Sequence, residues 1–222
     1  DKEIRYQALE AGATDFLIKP IDYTECLARC RNLLLLSHHQ RLLKDRSHLL
    51  EQQVTEATKE ITIREQETLL RLAKAGEYRD EETGNHVLRM AIFARLMAEK
   101  LSLQESDCHV IEIAAPMHDI GKIGIPDGVL LKPAKLDTDE LWLMRTHTRI
   151  GYEILKDSPS KYLQMGAVIA LGHHERYDGT GYPSRLRGYE IPLEARIVAV
   201  ADVFDALTSD RPYKKAWSIQ DA

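Results

Sequence analysis

Residues 37–80 constrain the fold most, because they contain neither glycine nor proline before Gly76. Apolar residues in this stretch recur at spacings of three and four, which is the period of one face of an α-helix. The positions that carry the pattern are Leu43, Leu50, Val54, Ala57 and Ile61, with Ser47, Arg64 and Thr68 as interruptions. The pattern predicts a long helix that links residues 1–36 to residues 81–222.

The linker helix allows two interpretations. Its apolar positions form a short heptad seam, which is typical of a parallel coiled coil that would make a homodimer and relay a signal. The alternative is a solitary amphipathic helix that packs on its own domain. We favour the coiled coil because the polar face is rich in charge and the segment joins two domains. His38, His39 and His48 are expected to be solvated helix residues.

Residues 1–36 are predicted to form a helix, a short strand, a loop and a second helix. Gly12 is the expected C-cap of the first helix. Residues 15–20 suggest a short buried strand that Pro20 ends. Asp22 or Thr24 would cap the next helix, over residues 23–36.

Composition and charge exclude several classes of protein. No apolar run approaches the roughly 20 residues that span a bilayer, so no membrane span is expected. The net charge of −5, without a long basic run, argues against broad nucleic-acid binding but not against a small phosphate ligand. Three cysteines are too few and too odd in number for a disulfide framework, and they fit a reducing, cytoplasmic setting. Cys26 and Cys30 are expected to be ordinary helix residues.

Residues 81–222 are predicted to be almost entirely helical, with two loops rich in glycine and proline at 121–133 and 178–192. Six of the nine histidines fall between His86 and His174. We assign His109 no role. The other five lie next to carboxylates, in a tandem pair or in a short motif, and the combined set is Glu82, His86, His118, Asp119, His147, His173, His174 and Asp202. We expect a helical bundle in which these side chains face inward and the two loops frame a cleft.

Five imidazoles and three carboxylates cannot easily satisfy one another in a dry core, and a metal cluster resolves that problem. The set contains no cysteine, which disfavours structural zinc and iron–sulfur sites. Mixed histidine and carboxylate ligation, with one bridging carboxylate, suits two or more Fe or Mn ions and predicts hydrolysis of a phosphoester. Lys122 lies in a turn flanked by glycines, where its ammonium could contact a phosphate oxygen. Arg211, Lys214 and Lys215 follow Asp202 and are either solvated basic residues or contacts for phosphate and guanine.

Residues 80–217 resemble the HD-GYP domain, a family of HD-superfamily phosphohydrolases associated with hydrolysis of cyclic di-GMP. The matching motifs are ETGNH at 82–86, HDIGKIGIP at 118–126, THT at 146–148, HHERYDGTGYP at 173–183 and ADVFDAL at 201–207, followed by DRPYK at 210–214. The resemblance implies an HD-superfamily helical bundle. Two departures stand out: Tyr177 replaces the tryptophan of many members, and the chain ends at Ala222, where further helices are expected. We therefore expect a C-terminally truncated domain.

The resemblance also implies roles for residues of this chain. A two-metal centre would be bound by His86, His118, Asp119, His147, His173, His174 and Asp202, with Asp119 bridging. Glu82 corresponds to the carboxylate that allows a third metal in some members. Lys122 would steady the scissile phosphate and help to protonate the leaving 3′-oxygen. The dinucleotide would be held by Gly181, Tyr182, Pro183, Arg211 and Lys214.

Residues 1–36 resemble the last strand and flanking helices of a response-regulator receiver domain. The match is the run AGATDFLIKP at 11–20, in which Lys19 corresponds to the lysine that contacts the phosphoryl group. These residues alone cannot accept phosphate. The resemblance implies a longer two-component regulator with a cognate histidine kinase as partner.

The sequence therefore predicts a mainly α protein in which a truncated α/β receiver remnant and a long linker helix precede the HD-GYP bundle. The leading hypothesis is a cyclic di-GMP phosphodiesterase that releases linear pGpG, and further hydrolysis to GMP is left open. A second hypothesis is a non-catalytic scaffold that binds GGDEF-domain partners, although the complete ligand set argues against it. A third is a phosphohydrolase for another cyclic dinucleotide, because function depends on the site and not on the fold.

Overall fold

The computed structural model describes residues 2–79, 86–209, 215–218 and 220–222. This part of the chain is mainly α-helical, as predicted, and contains no β-strand. The α-helices are α1 Lys2–Glu10, α2 Tyr23–Glu77, α3 His86–Lys100, α4 Glu105–Ala114, α5 Asp127–Leu130, α6 Thr138–Arg145, α7 His147–Leu155, α8 Lys161–Gly172 and α9 Leu193–Thr208. Short 3₁₀ helices cover Ala115–Met117, Ile120–Gly124 and Gly188–Glu190. None of the described helices combines the length and the apolar character needed to cross a bilayer.

The chain divides into two compact units, residues 1–62 and 63–222. In the first unit, α1 ends in a left-handed turn at Gly12, whose φ is +92°. The amides of Gly12 and Ala13 bond back to Leu9 and Ala8 at 3.0 and 2.9 Å, which is the paired pattern of a glycine C-cap. The predicted C-cap is therefore confirmed.

The predicted strand at residues 15–20 is wrong. These residues are irregular, because the described chain supplies no second strand with which they could form a hydrogen-bonded ladder. The helix after them begins as predicted, with Asp22 as its cap: the Glu25 amide donates to Asp22 Oδ1 at 2.8 Å.

The two helices predicted at 23–36 and 37–80 form one continuous helix, α2, which ends at Glu77. Nothing in this stretch interrupts the hydrogen-bond ladder, since no proline or glycine occurs between Pro20 and Gly76. The helix buries side chains only near its end, at Leu69, Ala73 and Glu77. The apolar positions of the predicted heptad seam are exposed.

The second unit is a bundle built around α3, α4, α8 and α9. Helix α3 buries its residues at spacings of three and four, namely Val87, Met90, Ala91, Ala94 and Ala98. Their partners in the core include Ile111, Met117, Ile169 and Val198. The apolar stripes of these helices face one another and form one core.

Two local features fix the chain at the starts of α6 and α7. Asp137 and Glu140 form a capping box that starts α6, with reciprocal amide-to-carboxylate bonds of 2.9 Å. Gly121 lies against α7 so closely that a Cβ atom there would be 1.9 Å from the His147 carbonyl oxygen. The 3₁₀ helix at Ile120–Gly124 therefore fits against the start of α7 only with glycine at this position.

Candidate metal centre

Five histidines stand at the ends of helices that meet at one point. His86 begins α3, His118 follows the 3₁₀ helix Ala115–Met117, and His147 begins α7. His173 and His174 follow directly after α8. All except the half-buried His174 are buried, and so is Asp119. The structure thus brings together the five imidazoles that the sequence indicated.

Backbone carbonyls fix the orientation of three of these rings. The Nδ1 of His118 donates to Ala115 O at 3.1 Å, and that of His147 donates to Met144 O at 2.8 Å. The Nδ1 of His173 lies 3.1 Å from the carbonyls of Ile169 and Ala170. In the neutral ring with the proton on Nδ1, which is the form that binds metal, each Nε2 has a lone pair that points into the centre. These Nε2 atoms are buried and have no hydrogen-bond partner in the described chain, which is the arrangement that a metal ion completes.

His86 is oriented by a carboxylate. Its Nδ1 donates to Asp205 Oδ2 at 2.6 Å, and Arg89 donates to both oxygens of Asp205 at 2.6 and 2.9 Å. Burial works to raise the pKa of Asp205, but the hydrogen bonds from Arg89 and His86 outweigh it and lower the pKa. An ionised carboxylate behind an imidazole makes the ring a better metal ligand. Asp205 was not among the site residues predicted from the sequence, although it lies one helical turn after Asp202.

Asp119 lies at the middle of the set. Its Oδ1 is 3.2 Å from His147 Nε2 and 3.4 Å from His173 Nε2, while its Oδ2 is 3.3 Å from His118 Nε2. Lys122 Nζ is 2.8 Å from the same Oδ2. Burial would raise the pKa of Asp119, but His118 and Lys122 outweigh it and hold that pKa well below its usual range. The carboxylate is therefore ionised and can face two ions at once.

The charges of the histidines differ with their neighbours. Burial alone would lower the pKa of His118, but Asp119 and other carboxylates raise it to about 9. Burial lowers the pKa of His174 to about 2, with His173 adding to the effect. His174 lies between two rings, 4.0 Å from the His173 centroid and 4.7 Å from that of Tyr182. It is therefore a neutral imidazole, the form that binds metals.

The atoms that could bind a metal fall into two groups, in each of which all atoms lie within 4.8 Å of one another. One group comprises Asp119, His147, His173 and His174, and the other comprises Glu77, His86 and His118. Asp202 lies beside the second group, with its Oδ1 3.5 Å from His86 Nε2. Glu77 was not anticipated, because it lies in the linker helix outside every motif. Burial raises the pKa of this carboxyl to about 7.

A cleft opens next to the centre, along the loop of residues 178–192. It encloses about 760 Å³ and is lined by Trp142, Arg145, Thr146, Arg149, Gly179, Thr180, Gly181, Tyr182, Pro183 and Arg185. The guanidinium carbon of Arg145 lies 5.0 Å from the Tyr182 ring centroid. A smaller cavity that Arg145 and Tyr182 also line reaches His173, His174 and Asp202, so the cleft adjoins the centre. Arg145, Arg149 and Trp142 were missed because their only sequence signal is proximity to His147.

Hydrogen bonds from backbone amides hold the loop that carries Tyr182. The carboxylate of Glu175 accepts hydrogen bonds from the amides of Ser184 and Leu186, at 2.6 and 3.0 Å. The amide of Tyr182 donates to His174 O at 3.2 Å. At Gly181 a Cβ atom would lie 2.3 Å from the Arg176 amide nitrogen, so the close backbone approach requires glycine. The predicted Glu82, Arg211 and Lys214 lie outside the described residues.

This fold and this residue set define an α-helical bundle with a buried histidine and carboxylate site suited to divalent metals. A family model described as "HD domain" matches residues 36–222, and the chain belongs to that family. The HD-GYP resemblance drawn from the motifs is confirmed.

Curated relatives cover the chain at high identity. It is 56% identical over 222 residues to "Cyclic di-GMP phosphodiesterase response regulator RpfG" of Xanthomonas campestris pv. campestris, all of this chain and 59% of that protein. It is 43% identical over 229 residues to "Cyclic di-GMP phosphodiesterase" of Thermotoga maritima, all of this chain and 62% of that protein. It is 47% identical over 152 residues to "3'3'-cGAMP-specific phosphodiesterase 2" of Vibrio cholerae serotype O1, 68% of this chain and 29% of that protein.

Proposed function

We propose that the chain is the catalytic part of a metal-dependent phosphodiesterase that hydrolyses cyclic di-GMP to linear pGpG and then to GMP. The observation that carries the proposal is the set of buried Nε2 atoms around Asp119, which lack hydrogen-bond partners in the described chain and adjoin a basic cleft. The names of two relatives that span the whole chain support the substrate.

Two divalent ions, Fe or Mn, fit the residues. Asp119, His147, His173 and His174 would hold one ion, and His86, His118 and Asp202 would hold the other, with Asp119 shared. Glu82 would provide for a third. When bound, the ions supply Lewis acidity toward the phosphate and activate water as a nucleophile. Mixed imidazole and carboxylate ligation, without thiolate, favours Fe or Mn in this role.

Lys122 is proposed to act on the phosphate itself. Its ammonium is held 2.8 Å from Asp119 Oδ2, in the tight turn that Gly121 permits. There it would neutralise a phosphate oxygen and give a proton to the leaving 3′-oxygen. The reaction adds one water to phosphorus and breaks the bond to the 3′-oxygen, which leaves as a hydroxyl group. A second hydrolysis at the remaining phosphodiester would yield GMP.

The cleft is proposed to bind the rest of the dinucleotide. Tyr182 and Trp142 offer aromatic faces for guanine, and Arg145 and Arg149 offer guanidinium groups for the phosphate that is not cleaved. Gly181 and Pro183 shape the loop, and Arg211 and Lys214 would contribute further cations. Replacing Arg145 by alanine should raise KM for cyclic di-GMP more than it lowers kcat, because this residue contacts the cleft and not the reacting phosphate.

A second substrate is favoured by one observation. The chain is 47% identical over 152 residues to a protein named as specific for 3'3'-cGAMP. One guanine of cyclic di-GMP is an adenine in that dinucleotide, so the same metal centre could serve both. The difference would lie in the groups that meet the base edges in the cleft.

The regulatory context is also proposed. Residues 1–36 would be the end of a receiver domain that a histidine kinase phosphorylates, and α2 would form a homodimer and relay the signal. One relative is itself named a response regulator. A GGDEF-domain protein is a further proposed partner, and the cytoplasm is the proposed location.

The test is turnover of cyclic di-GMP by the full-length protein, purified without oxygen and loaded with Fe(II) or Mn(II). Asp119→Ala should abolish product, while Asp107→Asn, on the exposed side of α4, should leave turnover unchanged. A parallel assay with 3'3'-cGAMP assigns the base preference. If the metal-loaded wild type binds cyclic di-GMP and forms no product, the catalytic proposal is wrong and a receptor or scaffold role replaces it.

A further inference from the structure

We propose that Glu77, the last residue of α2, is a metal ligand and binds a divalent cation together with His86 and His118. The inference rests on the metal centre described above and adds a residue that no motif of the sequence includes. It assigns a catalytic-site function to the end of the linker helix.

The carboxylate of Glu77 is buried without a hydrogen-bond partner in the described chain. The side chain of Glu77 is 3% exposed, and in the described chain neither of its oxygens has a hydrogen-bond partner. Burying a carboxylate without compensation is costly, so such groups are normally paired or coordinate a metal. The helix does not compensate either, because the C-terminal end of a helix is its negative end and disfavours an anion.

The side chain of Glu77 lies next to two of the buried imidazoles. A carboxylate oxygen of Glu77 and ring nitrogens of His86 and His118 lie within 4.8 Å of one another. The three residues come from different parts of the bundle, namely the end of α2, the start of α3 and the turn before Asp119. These atoms are close enough together that one divalent ion could be bound by all three residues.

The end of α2 packs closely on the residues around this point. At Gly76 a Cβ atom would lie 2.9 Å from Ile120 Cδ1, so α2 packs tightly on the segment that follows His118 and Asp119. Two residues after Glu77, Arg79 donates to the carbonyl of Ile123 at 2.9 Å and forms an ion pair with Asp127. Glu77 is therefore held from both sides in a position that faces the centre.

The consequence is a direct link between the linker helix and the metal centre. A ligand on the last residue of α2 would leave the centre if the final turn of that helix unwound or shifted. Metal occupancy would then respond to the state of the helix. Glu82, which the HD-GYP resemblance connects with a third metal, is a separate residue outside the described part of the chain.

The experiment measures metal binding and not turnover. The full-length protein, Glu77→Gln and Glu67→Gln are stripped of metal and titrated with Mn(II), and bound metal per chain is counted by mass spectrometry after dialysis. Glu67 is the matched control, an exposed glutamate of the same helix that pairs with Arg71. We expect Glu77→Gln to lose about one ion per chain, or to bind it at least about tenfold more weakly, while Glu67→Gln matches the wild type.

A folding defect would be recognised from the metal-free proteins. Glutamine removes an uncompensated buried charge, so metal-free Glu77→Gln should melt no lower than metal-free wild type. If the variant does not fold, anomalous diffraction from wild-type crystals soaked in Mn(II) decides the question, because a peak must lie within bonding distance of the Glu77 carboxylate. Unchanged stoichiometry and affinity in Glu77→Gln, or no peak beside Glu77, overturns the proposal.

The metal-binding experiment can fail independently of the proposed function. A wild type that binds Mn(II) through Glu77 but does not cleave cyclic di-GMP would refute the catalytic proposal and leave the ligand assignment intact. If the wild type cleaves cyclic di-GMP while Glu77→Gln keeps all of its metal, the catalytic proposal stands and the assignment of Glu77 as a ligand is refuted. A wild type that binds no divalent metal would overturn both.

Discussion

At the scale of single residues, the candidate metal centre depends on groups that accept a hydrogen bond from the Nδ1 atom of an imidazole and so fix its orientation. Backbone carbonyls bond His118, His147 and His173, whereas His86 is bonded by the side chain of Asp205. A backbone carbonyl cannot be removed by substitution, but a carboxylate can. His86 is therefore the proposed ligand whose orientation can be tested by mutation.

Replacing Asp205 by asparagine should weaken metal binding by roughly 10–100-fold, because His86 loses the charged acceptor on Nδ1. Mn(II) titration of the metal-free protein measures the effect. Asp107→Asn provides the control, since Asp107 is an exposed aspartate of α4. Wild-type affinity in Asp205→Asn would mean that the carboxylate does not act through His86.

Gly121 is the residue at which the backbone leaves the least room. Gly121→Ala should destabilise the fold by about 3 kcal/mol or more, since its Cβ would lie 1.9 Å from His147 O and 2.5 Å from the Gly151 amide. Gly128→Ala is the matched control, because a Cβ there meets nothing within 4 Å. It should change stability by no more than about 1 kcal/mol, and in the stabilising direction. Urea denaturation compares the two, and equal midpoints would contradict the prediction.

At the scale of elements, α2 differs from the helices that follow it. The other long helices bury an apolar stripe in the core, whereas α2 leaves its heptad seam exposed over most of its length. Leu43, Leu50, Val54 and Ile61 are 68%, 50%, 64% and 67% exposed. Repeated exposed apolar residues on one helix face favour association with a second copy.

Leu50→Lys should weaken self-association of the full-length protein at least tenfold, because it places a charge in the proposed seam. Sedimentation equilibrium over a range of concentrations gives the dissociation constant. Gln52→Lys adds the same charge to the same turn of the helix away from the seam, and it should leave the dimer intact. A protein that is monomeric throughout, or equal effects of the two substitutions, would argue against the coiled coil.

At the scale of the whole molecule, the centre joins segments that are far apart in sequence. His86, His118, His147 and His173 come from different helix ends and Asp202 comes from the middle of α9, so ions bound between them would cross-link the bundle. Ligands that bind only the folded state stabilise it by mass action. Metal is therefore expected to contribute to stability as well as to catalysis.

Removing metal with a chelator should lower the melting temperature. With free metal at about 100 times its dissociation constant, the stabilisation is about 2.7 kcal/mol, which corresponds to roughly 5–10 °C for a domain of this size. Thermal unfolding before and after dialysis against EDTA gives the shift, and added Mn(II) should restore it. Asp119→Ala provides the comparison, as its melting temperature should respond little to either treatment.

Much of the site could be predicted because its members are unusual as residues. Histidines beside carboxylates in an apolar stretch can be recognised from the sequence as candidate metal ligands, and His118 and Asp119 are an example. Glu77, Asp205 and Arg145 could not be recognised in this way. A glutamate at a helix end, an aspartate in a helix and an arginine near a loop are ordinary surface residues until the fold shows what they contact.

The sequence by itself determined the mainly α fold, the long helix, the C-cap at Gly12 and the set of imidazoles, because these depend on local periodicity, turn residues and residue chemistry. Only the tertiary structure decided that residues 15–20 form no strand, since pairing requires a neighbouring strand. It also decided which carboxylates meet which imidazoles, because that depends on how the helices pack. Asp205 behind His86 and Glu77 beside His118 are contacts between residues at least 41 positions apart, and no local pattern specifies such distances.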